Sequence, residues 1–156
     1  MADYFTLFSC ILDVGSAENA AAAFGLRDQL EQELERDGEA AIGFDLAIET
    51  DPGPGRLWIS GDEYGDPEHV IKFVLKCAEA FDLKGNWGFC WAYTCSKPWT
   101  DGFGGGAEII DLTNRKSKDW VDLAEWVLLR DVDHATDPET GEATALSQAE
   151  TAEMTP

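Results

Sequence analysis

Polar and apolar residues alternate with two different periods along most of the chain, and each change of period marks a predicted element. The run from Tyr4 to Val14 is almost continuously apolar, which is typical of a strand buried on both faces. Residues 16–37 then follow a helical period, with Ser16 as a candidate N-cap and leucines such as Leu30 and Leu34 on one stripe. The first two predicted elements are therefore a strand and a helix.

The middle of the chain repeats this order with an additional strand. Residues 44–49 alternate between apolar and polar positions, and the turn-forming segment at 51–55 leads into a further strand at 56–60. Asp66 followed by Pro67 is a strong helix start, because a carboxylate can cap the helix and proline suits its first turn. Apolar residues at helical spacing predict that this helix extends to about Asp82.

The last third of the chain is predicted to contain two strands, a helix and a tail. The strands are predicted at 87–95 and 107–112, and Ser117 is predicted to cap a final helix with Trp120 on its apolar face. Beyond it, residues 131–156 contain seven acids, no Lys or Arg, and no apolar period. We therefore predict one domain over residues 1–130 and an acidic, disordered tail over residues 131–156.

The order of these elements predicts an α+β fold. Strand, helix, strand, strand, helix, strand is the order of the ferredoxin-like βαββαβ plan, in which an antiparallel sheet carries two helices on one face. We predict that one further C-terminal strand extends the sheet at an edge and that the last helix covers its open face.

The charge of the chain excludes several classes of function. Its 156 residues carry 31 Asp and Glu against 11 Lys and Arg, a formal net charge of −20. Such a protein repels phosphate backbones and anionic membrane surfaces, so we expect neither direct nucleic-acid binding nor membrane binding. The N-terminal residues lack the pattern of a secretory signal and no apolar run is long enough to span a bilayer, which predicts a cytoplasmic protein with reduced cysteines.

The spacing of potential ligands gives no reason to expect a metal or another cofactor. The four cysteines lack the paired spacing of a zinc site, and the acidic residues around 62–69 lack the spacing of a calcium loop. The glycine run at 104–106 lacks the flanking residues of a phosphate loop. We therefore predict no cofactor.

The strand at 87–95 places its aromatic side chains on one face and small residues on the other. Its aromatic residues at alternate positions are Trp87, Phe89, Trp91 and Tyr93. Such a row is either a platform on which single-stranded nucleic acid stacks or a core layer beneath the last helix. A stacking platform needs nearby Lys or Arg, which are scarce here, so we favour the core layer and expect a helix to pack closely on the small face.

The segment around the end of this strand holds the side chains most suited to catalysis or ligand binding. A thiol beside a lysine can act as a nucleophile, and glycines can shape a pocket, so an enzyme or small-ligand site is one interpretation. Its residues would be Cys95, Ser96, Lys97, Asp101, Gly104, Gly105 and Gly106. No histidine lies nearby in sequence to serve as a base, so we favour a structured turn and predict no catalytic residue.

The acidic excess of the predicted domain is concentrated on its first helix. Residues 1–130 hold 24 acids and 11 bases, and residues 16–39 hold seven acids and two arginines. The outer face of the helix is predicted to carry Asp28, Glu31, Glu33 and Glu35. Carboxylates in rows on a rigid helix can imitate the phosphates of a duplex and occupy a basic groove on another protein. Solubility, or adaptation to salt, would explain the same charge without a partner.

Three segments resemble a family of small bacterial proteins encoded in chromosomes and on phage or plasmid elements: FSCILDVGSAENA, DPEHVIKFVLKCAEAFDL and WAYTCSKPWTDGFGGGAEIIDL. The shared signature is similar to W-A-x-T-C-S-K-P-x-x-D-x-F-G-G-G-A, which occupies residues 91–107, and the resemblance spans about residues 8–128. No activity or catalytic residue carries over from this family. Its setting on mobile elements implies an inhibitor of host defence, such as an anti-restriction or anti-CRISPR protein.

These observations together predict a non-enzymatic acidic protein that binds a basic protein or nucleoprotein complex, in its sharpest form as a nucleic-acid mimic. An enzyme or small-ligand binder centred on the loop from Cys95 is the alternative from a different class. A housekeeping domain with an unknown partner is the third hypothesis.

Overall fold

The structure, a computed structural model, describes residues 2–135 of the chain and the side chains of residues 2–130. It contains six strands and three helices within that range. In chain order they are β1 (Tyr4–Asp13), α1 (Ala17–Arg36), β2 (Asp45–Glu49), β3 (Arg56–Gly61), α2 (Pro67–Phe81), β4 (Asn86–Cys95), β5 (Gly104–Asp111), β6 (Lys116–Asp122) and α3 (Leu123–Ala135). Helix α3 extends into the stretch predicted as a tail, and the remainder of that stretch lies outside the described residues.

The strands form one sheet in the order β2-β3-β1-β4-β5-β6. The pairs β2–β3, β1–β3, β1–β4 and β4–β5 are all antiparallel, which confirms the predicted α+β class. The described residues divide into two units, with the boundary between Trp120 and Val121. The first unit holds the strands as far as residue 120 together with α1 and α2, and the second holds α3.

One face of the sheet in the first unit is covered by α1 and α2. In β1 the buried residues alternate, with Phe8 and Leu12 in the core and Ser9 and Ile11 exposed on the opposite face. The same alternation in the neighbouring strands brings Leu57, Ile59, Phe89 and Ile110 into contact with helix residues such as Leu34 and Phe73. The opposite face, which we call the open face, carries exposed side chains from β1, β3, β4 and β5.

Both helices of the first unit begin at the predicted caps. The Ser16 hydroxyl accepts a hydrogen bond from the Asn19 backbone N–H at 3.1 Å, and an Asp66 carboxylate oxygen accepts one from the Glu68 N–H at 2.9 Å. These contacts satisfy N–H groups that a helix start would otherwise leave unpaired. His69 lies buried one turn further along α2.

His69 joins α2 to the segment that follows α1. Its Nδ1 accepts a hydrogen bond from the Gly43 N–H at 2.9 Å, and its Nε2 lies 3.2 Å from the Asp66 carboxylate. The Asp66 N–H in turn donates to the Gly43 carbonyl at 2.7 Å. This histidine is therefore a buried polar group with its partners in place, a structural role rather than a ligand role.

The C-terminal part of the predicted fold needs correction. Two strands, β5 and β6, extend the sheet beyond β4 where one was predicted, and the last helix begins at Leu123 rather than near Ser117. Ser117 and Trp120 therefore belong to a strand. Most residues of β6 are exposed, so burial imposes no apolar alternation on its sequence, and the pattern gave no strand signal there.

The aromatic face of β4 was predicted correctly as a core layer, but the helices that cover it were not. Phe89 is buried and lies against Phe8 in an edge-to-face pair with ring centroids 6.1 Å apart. Trp87 and Trp91 are partly buried against the same core, which contains residues of α1 and α2. The small face of β4, with exposed Gly88, Cys90 and Ala92, belongs to the open face and is not the side on which α1 and α2 pack.

Candidate functional site

Three of the four predicted acidic residues of α1 form an exposed stripe. Asp28, Glu31 and Glu35 are exposed and stand at positions i, i+3 and i+7, which a helical period of 3.6 residues places on one side. None of the three forms an ion pair with another residue that the structure describes. We call these three residues the acidic stripe.

Glu33 does not belong to this stripe. It lies about 140° or more around the helix from each of the other three residues and points toward α2, where its carboxylate is 2.8 Å from the Lys76 ammonium. The Lys76 side chain is 23% exposed, so solvent screens this pair less than a fully exposed one. Glu33 therefore joins two helices and stands apart from the acidic stripe, although the sequence grouped it with the other three.

The loop that starts at Cys95 is held by contacts with the beginning of β1. The Ser96 hydroxyl accepts a hydrogen bond from the Asp3 N–H at 2.8 Å, and the Ser96 N–H donates to the Asp3 carbonyl at 2.9 Å. The Lys97 ammonium lies 6.0 Å from the centre of the Trp99 ring, and that ring lies beside Tyr4. The loop side chains are thus occupied in fixing the N-terminal strand.

Asp101 and Tyr4 complete this arrangement. The Tyr4 hydroxyl donates to Asp101 Oδ1 at 3.5 Å, at the long end of the hydrogen-bond range. Partial desolvation, followed by the negative charges of Asp101 and Cys95, raises the pKa of Tyr4 above its usual range. A phenol shifted in this direction stays protonated at neutral pH and acts as a hydrogen-bond donor, not as a base.

The three glycines of the run do not share one role. Gly105 has a φ of 140°, a backbone conformation that residues other than glycine rarely adopt. A Cβ at this position would collide with the carbonyl oxygen of Trp91 on the neighbouring strand. Gly104 and Gly106 pair with Tyr93 and Trp91 of β4 in regular positions. The run is therefore part of the β4–β5 ladder, and neither of the two cavities described below reaches it.

A concave surface lies on the open face, away from the acidic stripe and from the loop that starts at Cys95. It is a groove of about 730 Å³ that crosses β2, β3, β1 and β4. Its lining includes Leu7, Ser9, Asp45, Ala47, Trp58, Ser60, Asp62, Cys90 and Ala92. We call it the open-face groove. Its volume falls within the range of small-molecule pockets.

The groove has an apolar middle and an acidic end. The Trp58 ring is 44% exposed, and its indole N–H donates to the Ser9 hydroxyl at 2.8 Å, which fixes the ring across the sheet. Asp45 stands on β2 opposite Ser60, Asp62 directly follows β3, and both residues line the groove at this end. Both carboxylates are exposed.

A second, smaller cavity continues the groove at this acidic end. It measures about 130 Å³, is lined mainly by polar groups, and shares Asp45, Gly61 and Asp62 with the groove. No lysine or arginine lines either cavity. Arg56, the basic residue of β3, stands opposite Asp13 and Glu49 in the adjoining strands and does not line the groove.

Sequence reasoning missed this groove because its residues come from four strands that only the folded sheet brings together. The available signal was the nature of the outward positions. In β1 and β4 these positions are apolar or small, as at Leu7, Ile11 and Ala92, where a solvated face would normally be polar. Apolar outward positions indicate a binding surface, but they do not identify its ligand.

The acidic cluster at residues 62–69 and the cysteines give no metal site. Among the side chains that the structure describes, no group of three or more His, Cys, Asp and Glu residues is placed to hold a metal ion. All four cysteines are unpaired thiols. Burial raises the pKa of Cys77 to about 12 and, with a contribution from Cys90, the pKa of Cys10 to about 12.

The buried thiol of Cys77 makes stability depend on alkaline pH. Its pKa is about 12 in the folded protein against an ordinary value of 9.0, so the unfolded chain loses this proton first and stability falls as pH rises above about 9. Compared with a Cys77→Ala variant, the wild type should lose about 2 kcal/mol more unfolding free energy between about pH 8 and pH 10.5. Urea unfolding of both proteins at the two pH values measures this difference, and an unchanged gap would contradict it.

Comparisons with known proteins give no match: no protein-family model fits the chain, and neither the curated proteins nor the solved structures include a significant relative. No helix among the described residues is both long and apolar enough to cross a membrane.

Proposed function

We propose that the chain is a non-enzymatic binding protein whose acidic surface engages a basic protein or nucleoprotein complex. The observation that carries this proposal is the acidic stripe, three exposed carboxylates on one side of a 20-residue helix. Since α1 is anchored through Leu30 and Leu34 in the core, the carboxylates are held by a rigid element and lose little backbone entropy on binding.

The charge around the stripe adds to its field. The first unit holds 22 acids and 10 bases, so it keeps most of the excess negative charge even without the C-terminal residues. A partner with a cationic groove gains from steering and from release of its bound anions, the same terms that drive binding to DNA.

The nucleic-acid mimic is the finer form of this proposal. The stripe offers about one charge per 5 Å of helix axis, whereas duplex DNA carries about one per 1.7 Å, so α1 alone supplies part of the required density. Neighbouring acids of the first unit would have to supply the rest. An anti-restriction or anti-CRISPR role follows from the resemblance to mobile-element proteins and stands as the most specific version of the proposal.

The strand order and the thiols support two further parts of the proposal. A ferredoxin-like core extended by β5 and β6 is part of the proposal, and the β2-β3-β1-β4 order, with a helix after β1 and another after β3, supports it. Four unpaired cysteines suit a reducing compartment such as the cytoplasm.

An enzyme centred on the loop from Cys95 has less support, because Ser96, Lys97 and Asp101 have structural partners.

The test is affinity purification from the source organism, followed by mass spectrometry, at about 50 mM and about 500 mM salt. We expect basic nucleic-acid-handling proteins to be recovered at low salt and largely lost at high salt. A Glu31→Lys, Glu35→Lys variant should weaken their binding by about tenfold or more, because two attractive contacts become repulsive.

The matched control reverses two exposed acids that lie on neither helix, Glu63→Lys with Asp119→Lys. It makes the same change in net charge and should retain the partner. If both variants lose the partner equally, net charge rather than the stripe is responsible. A partner that both variants retain at high salt would overturn the proposal.

A further inference from the structure

The open-face groove combines features that the acidic stripe does not share. Its middle is apolar, with Leu7, Ala47 and Ala92 forming the floor beside the Trp58 ring. Its only ionisable carboxylates, Asp45 and Asp62, stand together at one end, where the smaller polar cavity begins. The ligand that complements such a surface has an apolar body and a positive group at one end.

We propose that this groove binds a small organic cation with an aromatic or aliphatic body, of the arylalkyl amine type. The body covers the apolar floor and lies against the exposed part of Trp58, whose ring face also attracts cations. The ammonium group lies between Asp45 and Asp62 and donates hydrogen bonds to their oxygens. The proposal is independent of the acidic stripe, which belongs to the helix-covered side of the sheet.

The charges of the lining favour a cation over other occupants. No lysine or arginine lines the groove or the smaller cavity, so an anionic ligand would meet two carboxylates without a compensating charge. A neutral ligand would leave the acidic end unused. The fixed Trp58 ring, held by its 2.8 Å hydrogen bond to Ser9, gives the apolar body a surface that needs no rearrangement.

Three probes with the same phenylbutyl body separate charge from apolar contact: phenylbutylamine, phenylbutanol and phenylbutyrate. We expect the amine to bind about threefold more tightly than the alcohol and at least about tenfold more tightly than the carboxylate. Titrations monitored through the amide chemical shifts in NMR spectra measure these weak affinities and map the site. The shifted amides should be those of Ser9, Ala47, Ser60 and Ala92.

Substitutions assign the two parts of the site. Asp45→Asn with Asp62→Asn should weaken the amine about threefold, to the affinity of the alcohol, and leave the alcohol unchanged. Trp58→Ala should weaken all three probes. The control, Glu18→Gln with Glu79→Gln, removes the same charge from exposed positions on α1 and α2 and should change no affinity by more than about twofold. The dispersion of the same NMR spectra shows whether each variant is folded.

Any of the following three results would overturn the proposal. Equal affinity for the amine and the carboxylate would show a surface that binds apolar groups without regard to charge. An equal loss in the Asp45, Asp62 variant and in the Glu18, Glu79 variant would show an effect of net charge alone. Shifts outside the groove, or no shifts with the amine, would show that the groove does not hold this ligand.

Discussion

A Gly105→Ala variant should lose about 4 kcal/mol or more of unfolding free energy, or fail to fold, because two costs coincide at this position. The backbone φ of 140° is one that alanine rarely adopts, and the added Cβ would meet the Trp91 carbonyl oxygen. Backbone atoms cannot move aside as a flexible side chain can. The β4–β5 ladder would therefore have to separate around Trp91 and Ala92.

Gly104→Ala is the matched control within the same run. A Cβ at Gly104 would find its nearest neighbour, a ring carbon of Tyr93, at 3.5 Å, which is an ordinary contact. We expect the change in unfolding free energy to stay within about 1 kcal/mol, and the loss of flexibility in the unfolded chain can make it stabilising. Urea unfolding of the two variants gives the comparison. Equal losses would contradict a specific backbone role for Gly105.

This contrast bears on the signature segment as a whole. Its cysteine, serine, lysine and glycines suggested a reactive site when considered as a short string. In the fold, Ser96 holds the N-terminal strand, Lys97 lies over Trp99 and Gly105 permits a close approach of two strands. A long and specific string of residues can therefore be required by the geometry of a ladder.

The sequence predicted those parts of the fold that burial and capping dictate. Strand β1 and helices α1 and α2 were predicted within a few residues, because their apolar periods and their caps at Ser16 and Asp66 are local signals. Strand β6 was missed because its exposed residues follow no apolar period. Its strand state comes from pairing in the sheet, which depends on the position of another segment.

The candidate sites also differ in whether local sequence or tertiary contacts determine them. The stripe of Asp28, Glu31 and Glu35 could be predicted from helical spacing alone. The exclusion of Glu33 could not, because it depends on the position of Lys76 in another helix. The open-face groove lay beyond sequence reasoning for a related reason, since four strands must be placed in order before Trp58, Asp45 and Asp62 are seen to share one surface.

Phe89 is expected to be the most costly aromatic residue of β4 to remove. It is 7% exposed and contacts three rings, with centroids 5.2 Å from Trp91, 5.3 Å from Trp87 and 6.1 Å from Phe8. A Phe89→Ala variant loses this buried area and leaves a cavity between the sheet and the helices. The expected loss of unfolding free energy is about 3–5 kcal/mol.

Tyr93→Ala is the control, since Tyr93 lies in the same row but is 39% exposed. Its loss should be about 1 kcal/mol, measured by the same urea unfolding. The pair of variants also decides between the two interpretations of the aromatic row. A stacking platform would predict nearly unchanged stability in Phe89→Ala together with weaker binding of a single-stranded oligonucleotide. A core layer predicts a large loss of stability and no oligonucleotide binding by the wild type, because the surrounding negative charge repels phosphate.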